Sequence, residues 1–291
     1  MEMKLMNHPI RHRTSLCCNA VSLCTLMTSV LVLAFALPLA AYSAANQVVR
    51  FRPGLFNSSS RPLTARQLQI LLEGLRQKTG LLELRFEADG FLQAGDRTHI
   101  AGGSATARAL VLAAIDGRDC FKLENHYLSP MVGFAQIRST EDFYDAAGVK
   151  HEGWHVEFDF HDFSQLRGGA PAIAAFDPVM HLLHELGHGV LKLSDTVSQT
   201  DPLGDCERHI NKIRRELGLP ERQSYHTQNT YVVMPGSTAH ALRAELIFVQ
   251  AEAGKSDGKK FSLFFNAERV ALAALSNSQT GHRSETGVVM Q

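Results

Sequence analysis

Asp177-Pro178-Val179-Met180-His181-Leu182-Leu183-His184-Glu185-Leu186-Gly187-His188-Gly189-Val190-Leu191 is the stretch on which the reading of this chain turns. Asp177 suits a helix N-cap and Pro178 fits the first helical position, so the pattern predicts a helix running to about residue 191. Histidines four apart share one helix face, which lets His184 and His188 aim ring nitrogens at a single ion. Glu185 sits beside the first of them, where its carboxylate can hold a water on that ion. H-E-x-x-H is the order used in zinc hydrolysis. Zinc acidifies the water and polarises a carbonyl, and the glutamate takes the proton and passes it to the leaving amine. The plainer alternative is two core or surface histidines with an incidental glutamate. A well-bounded helix, with Met180, Leu183, Leu186 and Gly187 as apolar or small neighbours, favours the zinc reading.

An ion that keeps one position open for water needs a third protein ligand. An H-x-x-G-x-x-H continuation would require glycine at 191 and histidine at 194, where the chain has Leu191 and Ser194. Asp195 is close by but lacks the glycine turn that usually returns such a ligand. Glu207 is the preferred ligand. It lies in the next expected helix, which begins at Asp205 and runs through Ile210, Ile213 and Leu217, giving helix, loop and return helix. Asn211, one turn beyond Glu207, is placed to steady that ligand or its helix from behind. Asp195, Asp201, Asp205 and His209 stay open as alternatives. A solvent-facing Glu207 paired with Arg208 or Arg215 is the plain reading. Tyr225, His226, Tyr231 and His240 are candidate donors to a developing oxyanion, with Tyr225 preferred for its nearness to the motif.

The rest of the chain frames this site. Its 291 residues carry 29 basic and 29 acidic side chains and are 45% hydrophobic, so one or two real cores are within reach and no basic nucleic-acid footprint is present. Lys4, Arg11 and Arg13 precede an uncharged run from Val21 to Ala41, followed by small residues at Ala40, Ala41, Ser43, Ala44 and Ala45. That is the order of a secretory signal, with cleavage after Ser43 or Ala45. The run is also long enough for an uncleaved anchor with the rest of the chain outside the cytoplasm. Domain organisation follows as residues 1–45 signal or anchor, 46–275 one domain, and 276–291 a loose tail. The expected location is secreted or periplasmic, with membrane contact only through an uncleaved N-terminus. Cys120 and Cys206 are the cysteines beyond the signal, and an exported chain could join them or keep two buried thiols.

Helices are expected from Ala65 after Thr64, from Ser104 to Ile115, and over 239–251. Strands are expected over 82–86, 120–127, 132–137, 154–160, 231–234 and 260–265, with Asp89-Gly90 as a hairpin turn. In 154–160, Trp154, Val156, Phe158 and Phe160 share one face. His155, Glu157, Asp159 and His161 share the other, as a solvated strand face, a substrate contact or a second cation site. The fold class read from these elements is α+β, zincin-like, with a mixed or antiparallel sheet beside the H-E-x-x-H helix. By analogy with zincins, which commonly place a strand beside the metal helix, the 154–160 strand is the candidate edge for holding the substrate backbone.

The segment Asp205-Cys206-Glu207, then Asn211-Lys212-Ile213-Arg214-Arg215-Glu216-Leu217-Gly218-Leu219-Pro220-Glu221-Arg222 and Tyr225, resembles the segment after the zinc helix in NleD-like metallopeptidases, a family of bacterial effector proteases and related toxin domains. The resemblance covers roughly residues 178–225. It implies endopeptidase activity on proteins, Zn2+ as cofactor, His184, His188 and Glu207 as ligands, and Glu185 as the catalytic base. The N-terminal export signal departs from that family, because an effector delivered by a dedicated apparatus does not need one. Two further readings stay open: a non-catalytic zinc-stabilised envelope protein, and a secreted toxin protease.

Overall fold

The computed structural model describes residues 52–270, apart from 141, 146, 196–199, 234–239, 253, 255 and 256. The expected signal (1–45) and tail (276–291) lie outside the described residues. Helix α1 (Ala65–Thr79) starts in a capping box, with Thr64 and Gln67 each bonding the other's backbone N–H, and stops at Gly80 in the left-handed region. Helix α2 (Ala105–Asp116) starts at Ser104, whose side chain accepts from Ala107 N–H. The hairpin around Asp89-Gly90 forms, but it pairs only Arg85–Phe86 with Leu92–Gln93. Leu82, expected to lie in that strand, is exposed.

A four-stranded sheet carries these helices. Strands β1 (Gly54–Asn57), β2 (Cys120–Asn125), β3 (Ala135–Ser139) and β4 (Gly153–Phe158) run in the spatial order β1-β2-β4-β3. The first three neighbours are parallel, whereas β3 is antiparallel to β4 and lies at the edge. The strand expected over 154–160 is therefore interior and ends at Phe158. Asp159 accepts from His161 N–H and caps helix α3 (Phe160–Ser164) instead. Its second face is not solvated either: Glu157 is 1% exposed. The edge belongs to β3, which forms near the strand expected over 132–137.

A second, antiparallel sheet lies further along the chain. Strand β5 (Arg167–Gly168) precedes helix α4 (Ala170–Ala174), the long helix α5 (Pro178–Leu191) and helix α6 (Gly204–Glu216). Strands β6 (Glu221–Arg222), β7 (Gln228–Val233), β8 (His240–Gln250) and β9 (Lys259–Asn266) follow. Strand β8 pairs with β6, β7 and β9, and β9 also pairs with β5. The helix expected over 239–251 is thus a strand. Its Ala, Leu and Glu content favours helix in isolation, but Ala244, Leu246 and Phe248 alternate into the core and pairing on both edges decides the outcome. The result is a mixed α/β fold whose described residues form one mixed sheet, one five-stranded antiparallel sheet and two two-stranded antiparallel hairpins. Among the described residues no helix is long and apolar enough to cross a membrane.

Helix α5 forms as expected and is the most constrained element. Asp177 accepts from the N–H groups of Val179 and Met180, and its Oδ2 takes Lys78 Nζ at 2.6 Å, pinning the start of α5 to the end of α1. Leu182, Leu183 and Leu186 are fully buried, each worth about 1.5–3 kcal/mol. Two glycines let α5 approach its neighbours. A Cβ on Gly187 would lie 3.0 Å from Cys206 Sγ in α6. One on Gly189 would run into the Phe121 ring of β2 and lie 2.9 Å from Ile137 Cδ1 of β3. Gly189 therefore sets the height of the motif helix above the edge strand. Gly189→Val should lower stability by about 1–3 kcal/mol through overpacking, read as a lower urea midpoint at unchanged slope.

Candidate metal centre

Histidine spacing on α5 brings His184 Nε2 within 3.1 Å of His188 Nε2. The chain then reverses. Lys192 adopts φ 54 and ψ 33, a left-handed cap without glycine, and Leu193 N–H returns to Gly187 O at 3.3 Å. Leu193 O faces His188 Nδ1 at 2.7 Å, so Nδ1 carries the hydrogen and donates it, leaving Nε2 as a bare acceptor when the ring is neutral. Two residues further, Asp195 Oδ1 lies 3.3 Å from His184 Nε2 and Oδ2 lies 3.4 Å from His188 Nε2. Asp195, an alternative to the preferred Glu207, is therefore the carboxylate that meets both rings. Lys192 makes the turn instead, its ammonium held by Asp119 and Glu152 and lying 4.4 Å from the Trp154 ring centroid.

Glu207 is fully buried but stands elsewhere. Its Oε2 is 3.6 Å from His184 Nδ1, on the far side of that ring, while Arg214 bonds its Oε1 and Arg222 Nη1 lies 3.3 Å from Oε2. Burial alone would raise this carboxyl, but Arg214 and then Arg222 hold it down to about 2. The Asn211 side chain bonds the two arginines rather than the Glu207 carboxylate. Its Oδ1 accepts from Arg222 N–H and from Arg214 Nη1, and its Nδ2 donates to Arg222 O, each at 2.8 Å. Tyr225 stacks on His184 with ring centroids 5.9 Å apart. Burial and Asp195 push the tyrosine hydroxyl well above its usual pKa, so it stays a neutral donor. The Arg222 guanidinium lies 4.9 Å from the Tyr225 ring centroid and bonds the Tyr225 carbonyl at 2.6 Å.

The other candidates do not converge here. Asp201 and Asp205 pair with Arg208, and His226 and Tyr231 are exposed. His209 is pushed down by burial and its Nε2 finds no hydrogen-bond partner. The His240 side chain lies outside the described residues. Cys120 and Cys206 are separate buried thiols, and burial pushes Cys120 up to about 12. Cys206 Sγ donates to His184 O at 3.3 Å and lies within 4.8 Å of the ligand atoms of His184, His188 and Asp195.

On the opposite face of the sheet, Glu124 and Glu157 are register partners that, with His126, form another group able to hold an ion. Both carboxylates already have cations, Lys122 on Glu124 and Arg138 on Glu157, with His126 between them.

Glu185 is buried beside the pair and lines the same cavity as Ile137 of β3. Burial raises its pKa above the ordinary carboxylate range, against the pull of His184 and His188. A cavity of about 510 Å³ opens here, running from β3 past the motif to Phe176, Leu246 and Phe265. His181 also lines it, one helical turn before His184 and ringed by Phe134, Phe163 and Phe176. Burial drives its pKa down to about 3, so it stays neutral.

The donor set suits a divalent cation. Two imidazole nitrogens and a carboxylate meet within 3.1–3.4 Å. Asp195 Oδ1 is buried with no hydrogen-bond partner, an expense that a bound ion would remove. The rings alone already attract positive charge. Burial opposes it, yet Asp195 lifts His184 to about 10 and His188 to about 11. Comparison of the chain with family models, curated proteins and solved structures finds no match.

Raised imidazole pKa values give the metal-free protein stability that is complete below the unfolded value of 6.5 and is lost as pH climbs through about 10 and 11. Metal must displace those protons, so apparent affinity should rise with pH across that window. Metal-free wild type should melt lower at about pH 10 than at about pH 7, while Asp195→Asn flattens that slope and weakens metal uptake. Calorimetric titrations in buffers of different ionisation enthalpy would count the protons released.

Proposed function

We propose that this chain is an exported zinc endopeptidase of zincin type, with His184 Nε2, His188 Nε2 and Asp195 as ligands and Glu185 as the base. The observation that carries this reading is the return of Asp195 onto both ring nitrogens, with the Glu185 carboxylate beside them at the wall of an open cavity. The likeness of residues 205–225 to NleD-like metallopeptidases supports it, with one change: Asp195 takes the place first given to Glu207.

Bound zinc supplies Lewis-acid polarisation of a carbonyl and acidifies a water molecule. Glu185 accepts that water's proton on a carboxylate oxygen and delivers it to the leaving amine nitrogen as the peptide C–N bond breaks. Its raised pKa suits both halves of that transfer. Tyr225, neutral and braced by Arg222, offers an O–H to the oxygen that gains charge. Among the described residues strand β3 pairs with β4 alone, and its other edge would take an extended protein or peptide substrate by strand addition. No nucleic-acid partner is expected from the balanced charge.

A non-catalytic, zinc-stabilised protein is the second reading. Cys206 favours it, because a thiolate joining the two histidines and Asp195 would close the coordination shell, as in structural sites. Full-length wild type and Glu185→Gln separate the two. Both should hold about one zinc, and cleavage of a protein mixture should fall at least about a hundredfold in the variant. Equal cleavage by both proteins would rule out Glu185 as the base.

A further inference from the structure

Glu207, Arg214 and Arg222 are 0%, 3% and 8% exposed. Enclosing three charges costs several kcal/mol per ion before their attraction is counted, and an apolar trio of similar volume would hold α6 at least as well. A charge can do what an apolar group cannot: it can decide which nitrogen of an adjacent imidazole carries the hydrogen. Glu207 Oε2 faces His184 Nδ1 at 3.6 Å, while the opposite nitrogen, Nε2, meets His188 and Asp195. We propose that Glu207 is the positioning residue of His184. Its carboxylate keeps the hydrogen on Nδ1, so that Nε2 presents its lone pair to the metal.

At 3.6 Å the contact is electrostatic rather than a made hydrogen bond. The preference still follows, because a bare Nδ1 lone pair turned towards a carboxylate is repelled and an N–H is attracted. The guanidiniums fix where that carboxylate stands. Arg214 is anchored through Nε to Ala175 O at 2.9 Å, and Arg222 through Nε to Ser224 O at 2.9 Å. Asn211 ties the two together. Arg222 also supports Tyr225, which lies flat against His184, so the ring is braced at its edge and on its face. His188 is braced by a neutral carbonyl, that of Leu193. The two ligands are thus supported unequally, and the carboxylate-backed His184 is the stronger donor.

The proposal rests on His184, His188 and Asp195 being the ligands, and the full-length protein tests it. Zinc affinity should fall about tenfold to a hundredfold in Glu207→Gln. In the zinc-loaded protein the His184 Nδ1–H resonance should shift, while that of His188 stays in place. Should Glu207→Gln fail to fold around the two arginines, Glu207→Asp keeps the charge but withdraws the oxygen, and the same shift is expected. A purely structural role would lower the urea midpoint of the metal-free protein without moving the His184 signal, and that result overturns the proposal. So does a loss of zinc as complete as in Asp195→Asn with an altered cobalt spectrum, which would make Glu207 a ligand. Zinc binding with the expected shift but no peptide cleavage leaves the proposal standing and removes the peptidase reading. Wild type that binds no zinc overturns both.

Discussion

The site depends on one backbone reversal. A non-glycine residue in the left-handed region costs about 1–2 kcal/mol, and Lys192 accepts that cost at the end of α5. The turn sends the chain back along the helix it has just left. Leu193 O then meets His188, Ser194 O receives Cys206 N–H, and Asp195 meets both ring nitrogens. The ammonium of Lys192 offsets the strain by reaching Glu152, Asp119 and the Trp154 ring. One turn thereby links the motif helix, the four-stranded sheet and the following helix.

Much of this was legible in the sequence where the signal is local. The Asp177-Pro178 start of α5 and the Thr64 start of α1 depend on neighbours a few residues away, and both form as read. Two features were hidden because they are settled at long range. Residues 240–250 carry helix formers, yet they pair with β6, β7 and β9, and nothing within the segment announces those partners. Asp195 ranks below Glu207 in the sequence because it lacks a glycine turn, but the turn is made by a lysine whose side chain is held by residues some 40 and more positions earlier, Glu152 and Asp119. Nothing local in the sequence marks Arg214 and Arg222 as partners of Glu207. Only packing shows that Glu207 has both as neighbours.

Charge on the two faces of the four-stranded sheet is handled in opposite ways. Glu124 and Glu157 sit side by side on parallel strands, a repulsive arrangement, and Lys122, Arg138 and His126 quench it. On the helix side, Asp195 Oδ1 is left without a hydrogen-bond partner between two imidazoles. The first cluster is closed by its own side chains. The second stays electrostatically hungry, and it is the one that borders the large cavity.

The contact between Gly187 and Cys206 has a consequence for any redesign of this motif. The two positions share one volume: sulfur occupies the space that a methyl on residue 187 would need. A larger residue between the histidines would have to displace the thiol and, with it, the helix that delivers Glu207. Its variability is therefore bounded by a residue nearly twenty positions away, and the two sites can be exchanged only as a pair.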